Sequence, residues 1–156
     1  MTQQELTAYI QANFDGKLTL LDTGRAEPMF EVKPEDLVDT ARHLRDDPQL
    51  KFDFLCNLGG VDTRQRLEVV YSIASMTKHL RLDFKLALGY ENPSAETITS
   101  VWPAANWYER EMNELYGIEI RNHPDLRPLL LPDDWDQGHP MLKNWDAPDF
   151  IRMPEL

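Results

Sequence analysis

Residues 107–117 read WYEREMNELYG, and the stretch Trp107–Gly117 is the one around which the rest of the chain is organised. Placed on a helix at about 100° per residue, Ala104, Ala105, Tyr108, Met112, Leu115 and Tyr116 fall on one broad face, with Trp107 at its edge. The spacing predicts an amphipathic helix. Asn106, Arg110, Asn113 and Glu114 fall on the other side, where Arg110 and Glu114 stand four apart and are placed to pair across one turn. Glu111 falls inside the apolar stripe. A covered, ionised carboxylate without a partner costs several kcal/mol, so Glu111 is expected to meet a cation or hydrogen-bond donors, with Arg121 and Arg127 as nearby candidates. The alternative is a partly exposed glutamate at the edge of the stripe. Pro103 suits the first turn of such a helix, and Gly117 suits a left-handed cap at its end.

The chain has 156 residues, enough for one domain with a real core. Sixteen basic against 27 acidic residues give a formal charge of −11, which repels nucleic acid and anionic membrane surfaces. A single cysteine, Cys56, excludes an intrachain disulfide and a self-contained cysteine-ligated zinc or iron–sulfur site. No run approaches the roughly 18–20 apolar residues of a membrane span. The opening MTQQELTAYIQANF lacks the basic end and apolar centre of a signal peptide, so the expected compartment is the cytoplasm, with contact to a membrane only through a partner.

Working back from the helix, Leu6, Tyr9, Ile10 and Phe14 recur at helical spacing and predict a first helix over Gln3–Phe14, stopped by Asp15-Gly16. Lys17–Leu21 reads as a strand, Thr23-Gly24-Arg25 as a turn and Met29–Val32 as a second strand. Pro34 opens a helix carrying Leu37, Val38, Ala41 and Leu44, and Pro48 ends it. Phe52, Phe54, Cys56 and Leu58 alternate along a third strand that breaks at Gly59-Gly60, which places Cys56 on the apolar face as an inert core residue. Leu67, Val69, Tyr71 and Ile73 mark a fourth strand. Leu80, Leu82, Phe84, Leu86 and Leu88 mark a fifth, the cleanest alternation in the chain. Three successive strands with short links predict an antiparallel meander. The fold class is therefore α+β, a mostly antiparallel sheet with helices on one side in the order α-β-β-α-β-β-β-α; Ala95–Val101 is open between a strand and a short helical lead.

After Gly117 the periodicity vanishes, and six of the eleven prolines follow, at Pro124, Pro128, Pro132, Pro140, Pro148 and Pro154. The expected organisation is an α+β domain over residues 1–117 and an extended arm over 118–156 within the same structural unit. Trp135 and Trp145 of that arm either fold back on the domain or dock on another protein, where tryptophan is enriched. Glu109, Glu111 and Glu114 with His123 and His139 are the only set resembling an acid–base or metal site. Two histidines sixteen apart match no ligand pattern such as HExxH, and each precedes a proline, which favours histidines bonded to main chain. GxGxxG, GxxxxGK[ST] and GxSxG are absent. The residues read as a binding subunit more than an enzyme.

The motifs from Trp102 to Lys143 resemble, in order, the thirty-kilodalton subunit, or C subunit, of respiratory complex I, NADH–quinone oxidoreductase, with its relatives in membrane-bound hydrogenase complexes. The family's Trp-x-x-Ala-x-Trp lead and Glu-Arg-Glu correspond to Trp102, Ala105, Trp107 and Glu109-Arg110-Glu111. Its usual aspartate stands here as Glu114, and its glycine as Gly117. His123-Pro124-Asp125-Leu126-Arg127 is intact, Leu131-Pro132 and Asp134-Trp135 follow, and Gly138-His139-Pro140 with Lys143 closes the series. Asn122 replaces a usual glycine, Pro128 and Leu142 replace arginines, and Asn144 replaces an aspartate, which removes two basic side chains from the expected partner surface.

The resemblance implies a non-catalytic peripheral-arm subunit without a cofactor of its own. Iron–sulfur clusters, flavin and quinone would belong to partner subunits, among them those that hold the terminal iron–sulfur cluster and form the quinone site. It also implies a place on the cytoplasmic side of the cell inner membrane. Glu109, Arg110 and Glu111 are expected to anchor the helix–arm junction, and Arg127, His123 and Trp135 to hold the strap. The equivalent subunit of a membrane-bound hydrogenase or ferredoxin-linked complex is one alternative, and a free-standing metal-dependent hydrolase using the glutamates and histidines is another.

Overall fold

The computed structural model describes residues 1–24, 28–149 and 151. Thr2 starts the first helix, α1 (Gln3–Asn13), with a reciprocal capping box: its hydroxyl accepts the Glu5 N–H at 3.2 Å while the Glu5 carboxylate accepts the Thr2 N–H at 2.8 Å. Strands β1 (Leu18–Leu21) and β2 (Met29–Val32) pair antiparallel. Of the expected turn between them, Arg25 lies outside the described residues. Pro34 opens a single 3-10 turn, Pro34–Asp36, that runs into α2 (Leu37–Asp46), whose Leu37, Ala41 and Leu44 are buried. The meander comes next as β3 (Phe54–Asp62), β4 (Leu67–Ser75) and β5 (Leu80–Leu88), with β4 antiparallel to both neighbours.

The five strands lie in the order β1-β2-β5-β4-β3, and β2 runs parallel to β5 with Phe30 opposite Phe84. The α+β class and the mostly antiparallel sheet are as expected, with this one parallel pairing created by the crossover through α2. The alternation in β5 places Leu80, Leu82, Phe84, Leu86 and Leu88 in the core, where Phe84 stacks on Tyr71 with ring centroids 4.6 Å apart. Leu6, Ile10, Leu37, Ala41, Leu44 and Met112 share that cluster, so the helices close one face of the sheet. The opposite face carries the Glu31, Arg66, Glu68 and Lys85 ion pairs, with Lys85 Nζ 2.8 Å from Glu68 Oε1.

Two sequence expectations fail in β3. The ladder to β4 shifts between Leu55 and Asn57, a bulge that inserts one residue and reverses the facing of the residues beyond it. Leu55 and Leu58 point inward, whereas Phe54 is 52% exposed and Cys56 is exposed, so Cys56 is not a core residue. Nor does the strand break at Gly59-Gly60; it continues to Asp62. Gly60 is there because the Tyr116 ring lies against it: a Cβ would stand 2.7 Å from Tyr116 Cδ2, while a Cβ on Gly59 would meet nothing within 4 Å.

The ambiguous segment after β5 contains a strand, β6 (Ser94–Glu96), then a turn into the third helix, α3 (Ala105–Tyr116). Gly117 ends α3 in the left-handed region (φ 70°), as its spacing predicts, and Pro103 lies just before the Ala104 cap. A second strand missed by the sequence reading, β7 (Glu119–Arg121), pairs parallel with β6. Three residues are too few for a periodic signal. Gly60→Ala should cost about 1–3 kcal/mol by overpacking against Tyr116, and Gly59→Ala less than about 1 kcal/mol. Chemical denaturation of both variants checks this, and equal costs would contradict the packing described.

Candidate functional site

The buried face of α3 consists of Ala105, Glu109, Arg110 and Met112, with Tyr108 and Tyr116 packed at its flanks. This is rotated from the predicted stripe toward Ala105, so Ala104 and Glu111 are exposed. The carboxylate inside the apolar face is Glu109, only 2% exposed, and not Glu111. Glu111 is thus the exposed glutamate of the alternative reading, and the two arginines expected beside it have other partners. Arg121 pairs with Glu96 at 2.7 Å and Arg127 with Asp125 at 2.8 Å.

Glu109 holds the segment that leads into its own helix. Its Oε1 accepts the Ile98 N–H at 2.8 Å and its Oε2 accepts the Thr97 hydroxyl at 2.6 Å. Burial pushes the Glu109 carboxyl up from about 4.5 to about 7, against the lowering effect of the Ile98 and Thr97 bonds. The same lead is pinned by Trp102 Nε1, which donates to the buried Phe52 carbonyl at 2.8 Å, and by Arg45, which donates to the Val101 carbonyl at 3.0 Å.

Arg110 and Glu114 do not pair with each other but hold the chain beyond β7. Arg110 donates through Nε to the Arg127 carbonyl at 2.9 Å and through Nη2 to the Pro128 carbonyl at 3.0 Å. Its guanidinium also lies 5.1 Å from the Trp107 ring centre. The Glu114 carboxylate then accepts three successive amides, Leu129 at 3.1 Å, Leu130 at 2.8 Å and Leu131 at 2.9 Å. A cation on two carbonyls followed by an anion on three amides fixes five consecutive residues without regular structure. Each is a charge-assisted bond to a backbone group that otherwise depends on water. The strap is thus gripped through the Arg127 carbonyl, while its guanidinium is exposed.

The remaining motif residues divide between the two ends of α3. At the start, the His123 ring is buried; its Nδ1 accepts the Asp125 N–H at 3.0 Å, which leaves the ring proton on Nε2, 3.2 Å from the Asn106 carbonyl. Pro124 lines an open cleft with Thr97, Thr99 and Asn106. At the end, His139 Nδ1 lies 2.8 Å from the Glu114 carbonyl, and its ring fills the space that a Cβ on Gly117 would need, 2.5 Å away. The carbonyls that the two histidines meet, of Asn106 and Glu114, are about two turns apart on α3, roughly 12 Å along its axis. Among the described residues no group of three or more His, Cys, Asp or Glu is placed to hold a metal ion.

Beyond His139 the arm folds back on the domain. Half-buried Pro140 is followed by Met141, whose N–H donates to the Leu115 carbonyl at 3.1 Å, and the Lys143 N–H donates to Asp62 Oδ2 at 2.7 Å. Trp135 and Trp145 meet each other with ring centres 6.1 Å apart, their indole N–H groups donating to the Gly138 and Gln137 carbonyls. Sequence reasoning missed Asp62, which also accepts from the Arg64 N–H and the Tyr90 hydroxyl. The Lys143 N–H, and next the Tyr90 hydroxyl, hold its carboxyl below the usual range. Its partner Lys143 stands 81 residues away in sequence, a separation that no local pattern reports. Thr97 was missed for the same lack of a local signature.

Among the described residues no helix is long and apolar enough to cross a membrane. Residues 30–150 match the family model described as respiratory-chain NADH dehydrogenase, 30 kDa subunit. The NADH-quinone oxidoreductase C subunit of Roseiflexus sp. (strain RS-1) is 47% identical over 123 residues, covering 77% of this chain and 70% of that protein. The solved structure of the trypsin-resistant fragment (1–134) of Nqo5 superposes with a TM-score of 0.67 at 25% identity, over 81% of this chain and all of that one. A chain of the membrane-bound sulfane sulfur reductase, an archaeal respiratory membrane complex, gives 0.75 at 17% identity over 92% of this chain and 84% of that one, a likeness of fold alone. With matched residues running from β2 through α3 and the strap that it holds, the chain belongs to the family of 30-kDa subunits of the respiratory-chain NADH dehydrogenase.

Proposed function

We propose that this chain is a peripheral-arm subunit of a respiratory NADH–quinone oxidoreductase, on the cytoplasmic side of the membrane, and that it serves assembly while the redox chemistry proceeds elsewhere. Iron–sulfur clusters, flavin and quinone then belong to its partner subunits, and its neighbours are those that hold the terminal cluster and form the quinone site. The observation that carries this reading is the family match over residues 30–150. The geometry around α3 supports it, since Glu109, Arg110 and Glu114 are all engaged in ordering backbone.

Trp107 and Glu111 lie on the uncovered side of α3, with Leu126 and Arg127 exposed on the adjoining strap. Trp107 is 62% exposed, and the Arg110 guanidinium lies against its ring. An exposed tryptophan is a common anchor of protein interfaces. In this reading Trp107 and Glu111 face a partner, whereas Arg110 and Glu114 shape the surface from beneath.

A tagged chain extracted with its membranes in mild detergent should bring down iron–sulfur and quinone-site subunits in stoichiometric amount; recovery of the chain alone contradicts the proposal. In the isolated chain, Glu114→Ala should cost about 1–3 kcal/mol and speed proteolysis within residues 129–149, because three amides lose their acceptor. Glu111→Ala should stay within about 0.5 kcal/mol of the parent. Equal destabilisation by the two would remove the distinction between holding the strap and facing a partner.

A further inference from the structure

Glu109 is enclosed, but its hydrogen-bond chain reaches solvent. The Thr97 hydroxyl that donates to Glu109 Oε2 stands 2.9 Å from the Thr99 hydroxyl, and either of those two oxygens is placed to donate to the other. Thr97 Oγ1 also accepts the Thr99 N–H at 3.2 Å. Both threonines line the open cleft beside Ser100, Asn106 and Pro124. A hydroxyl has one donor and two acceptor sites, so the chain is satisfied in two directions. With Glu109 ionised, Thr99 donates to Thr97 and Thr97 donates to the carboxylate. With Glu109 protonated, the acid donates to Thr97 and Thr97 donates to Thr99.

We propose that Glu109 is a proton-exchange group of the folded chain, reached from the cleft through Thr99 and Thr97, and that its proton sets how firmly the loop between β6 and α3 is held. The transfer balances: a hydronium ion of the solvent in the cleft gives a proton to Thr99 and becomes water, the Thr99 proton passes to Thr97, and the Thr97 proton passes to Glu109 Oε2. No bond is left open in either state. The anion gives the Ile98 N–H a charge-assisted bond, against the larger cost of an enclosed charge that the acid does not carry.

Among the described residues, the titratable groups facing Glu109 are His123 from the segment after β7 and Tyr71 from β4. His123 Nε2 is 3.7 Å from Glu109 Oε2. Its Nδ1 accepts the Asp125 N–H, and its Nε2 stands nearer to the Asn106 carbonyl, 3.2 Å away, than to the carboxylate. Tyr71 is pushed up by burial and then by the Glu109 charge. Arg110, the next residue on the helix, donates to carbonyls of the strap.

The sign of the effect on stability comes from the upward shift of the Glu109 carboxyl. The folded chain binds this proton more tightly than the unfolded chain. That stabilisation is full below about 4.5 and is lost as pH rises through about 7.

Carbon-13 titration of the glutamate carboxyls in the full chain tests the proposal. One resonance, missing in Glu109→Gln, should titrate with a midpoint near 7, and the Ile98 amide should move with it. Thr97→Val should raise that midpoint, because the anion loses a donor. Thr99→Val should broaden or split the averaged Glu109 resonance near its midpoint, because the route to the cleft is cut. If Glu109→Gln fails to fold, the Ile98 amide in the parent and in Thr97→Val gives the same readings. A Glu109 midpoint below about 5, an unmoved midpoint in Thr97→Val, or an unchanged line shape in Thr99→Val would each overturn the proposal.

Discussion

The structure depends on one constraint: the backbone on either side of α3 has few partners of its own, and α3 supplies them. Glu109 satisfies the Ile98 amide before the helix, and Arg110 and Glu114 satisfy five consecutive residues after β7. Backbone groups left without partners destabilise a fold by about 1–3 kcal/mol each when buried. A proline-rich segment forms no ladder of its own, so side chains take that role. The Glu-Arg-Glu motif is in this sense a structural fastening, with Glu114 in place of its third member.

For this to work α3 has to be placed firmly, and the sheet does that. Ala105 and Met112 reach the common core, Tyr116 lies on Gly60 of β3, and the Trp102 indole is fixed to the Phe52 carbonyl. The arm then returns to the same sheet, where Asp62 at the end of β3 holds Lys143. Leu142 packs against the core beside it.

Strands and helices with a strong period were legible in the sequence, as the alternation Leu80–Leu88 shows. What failed were features that periodicity does not encode. A single inserted residue at Cys56 reversed the facing of β3. A small rotation of α3 exchanged the roles of Glu109 and Glu111, because both stand at the margins of the apolar stripe. Strands β6 and β7 are only three residues each and are defined by one another across α3. The site was legible as a set of motif residues and illegible as a set of contacts, since Arg110 and Glu114 bind main chain whose position no side-chain pattern reports.

Native-state hydrogen exchange of the full chain tests the central claim most directly, through the amides of Leu129, Leu130 and Leu131 beside those of α3. If Glu114 holds the strap, these amides exchange slowly and together, with protection close to that of the helix and far above that of other proline-rich residues. Exchange at the rate of an open loop, with α3 itself protected, would contradict the account.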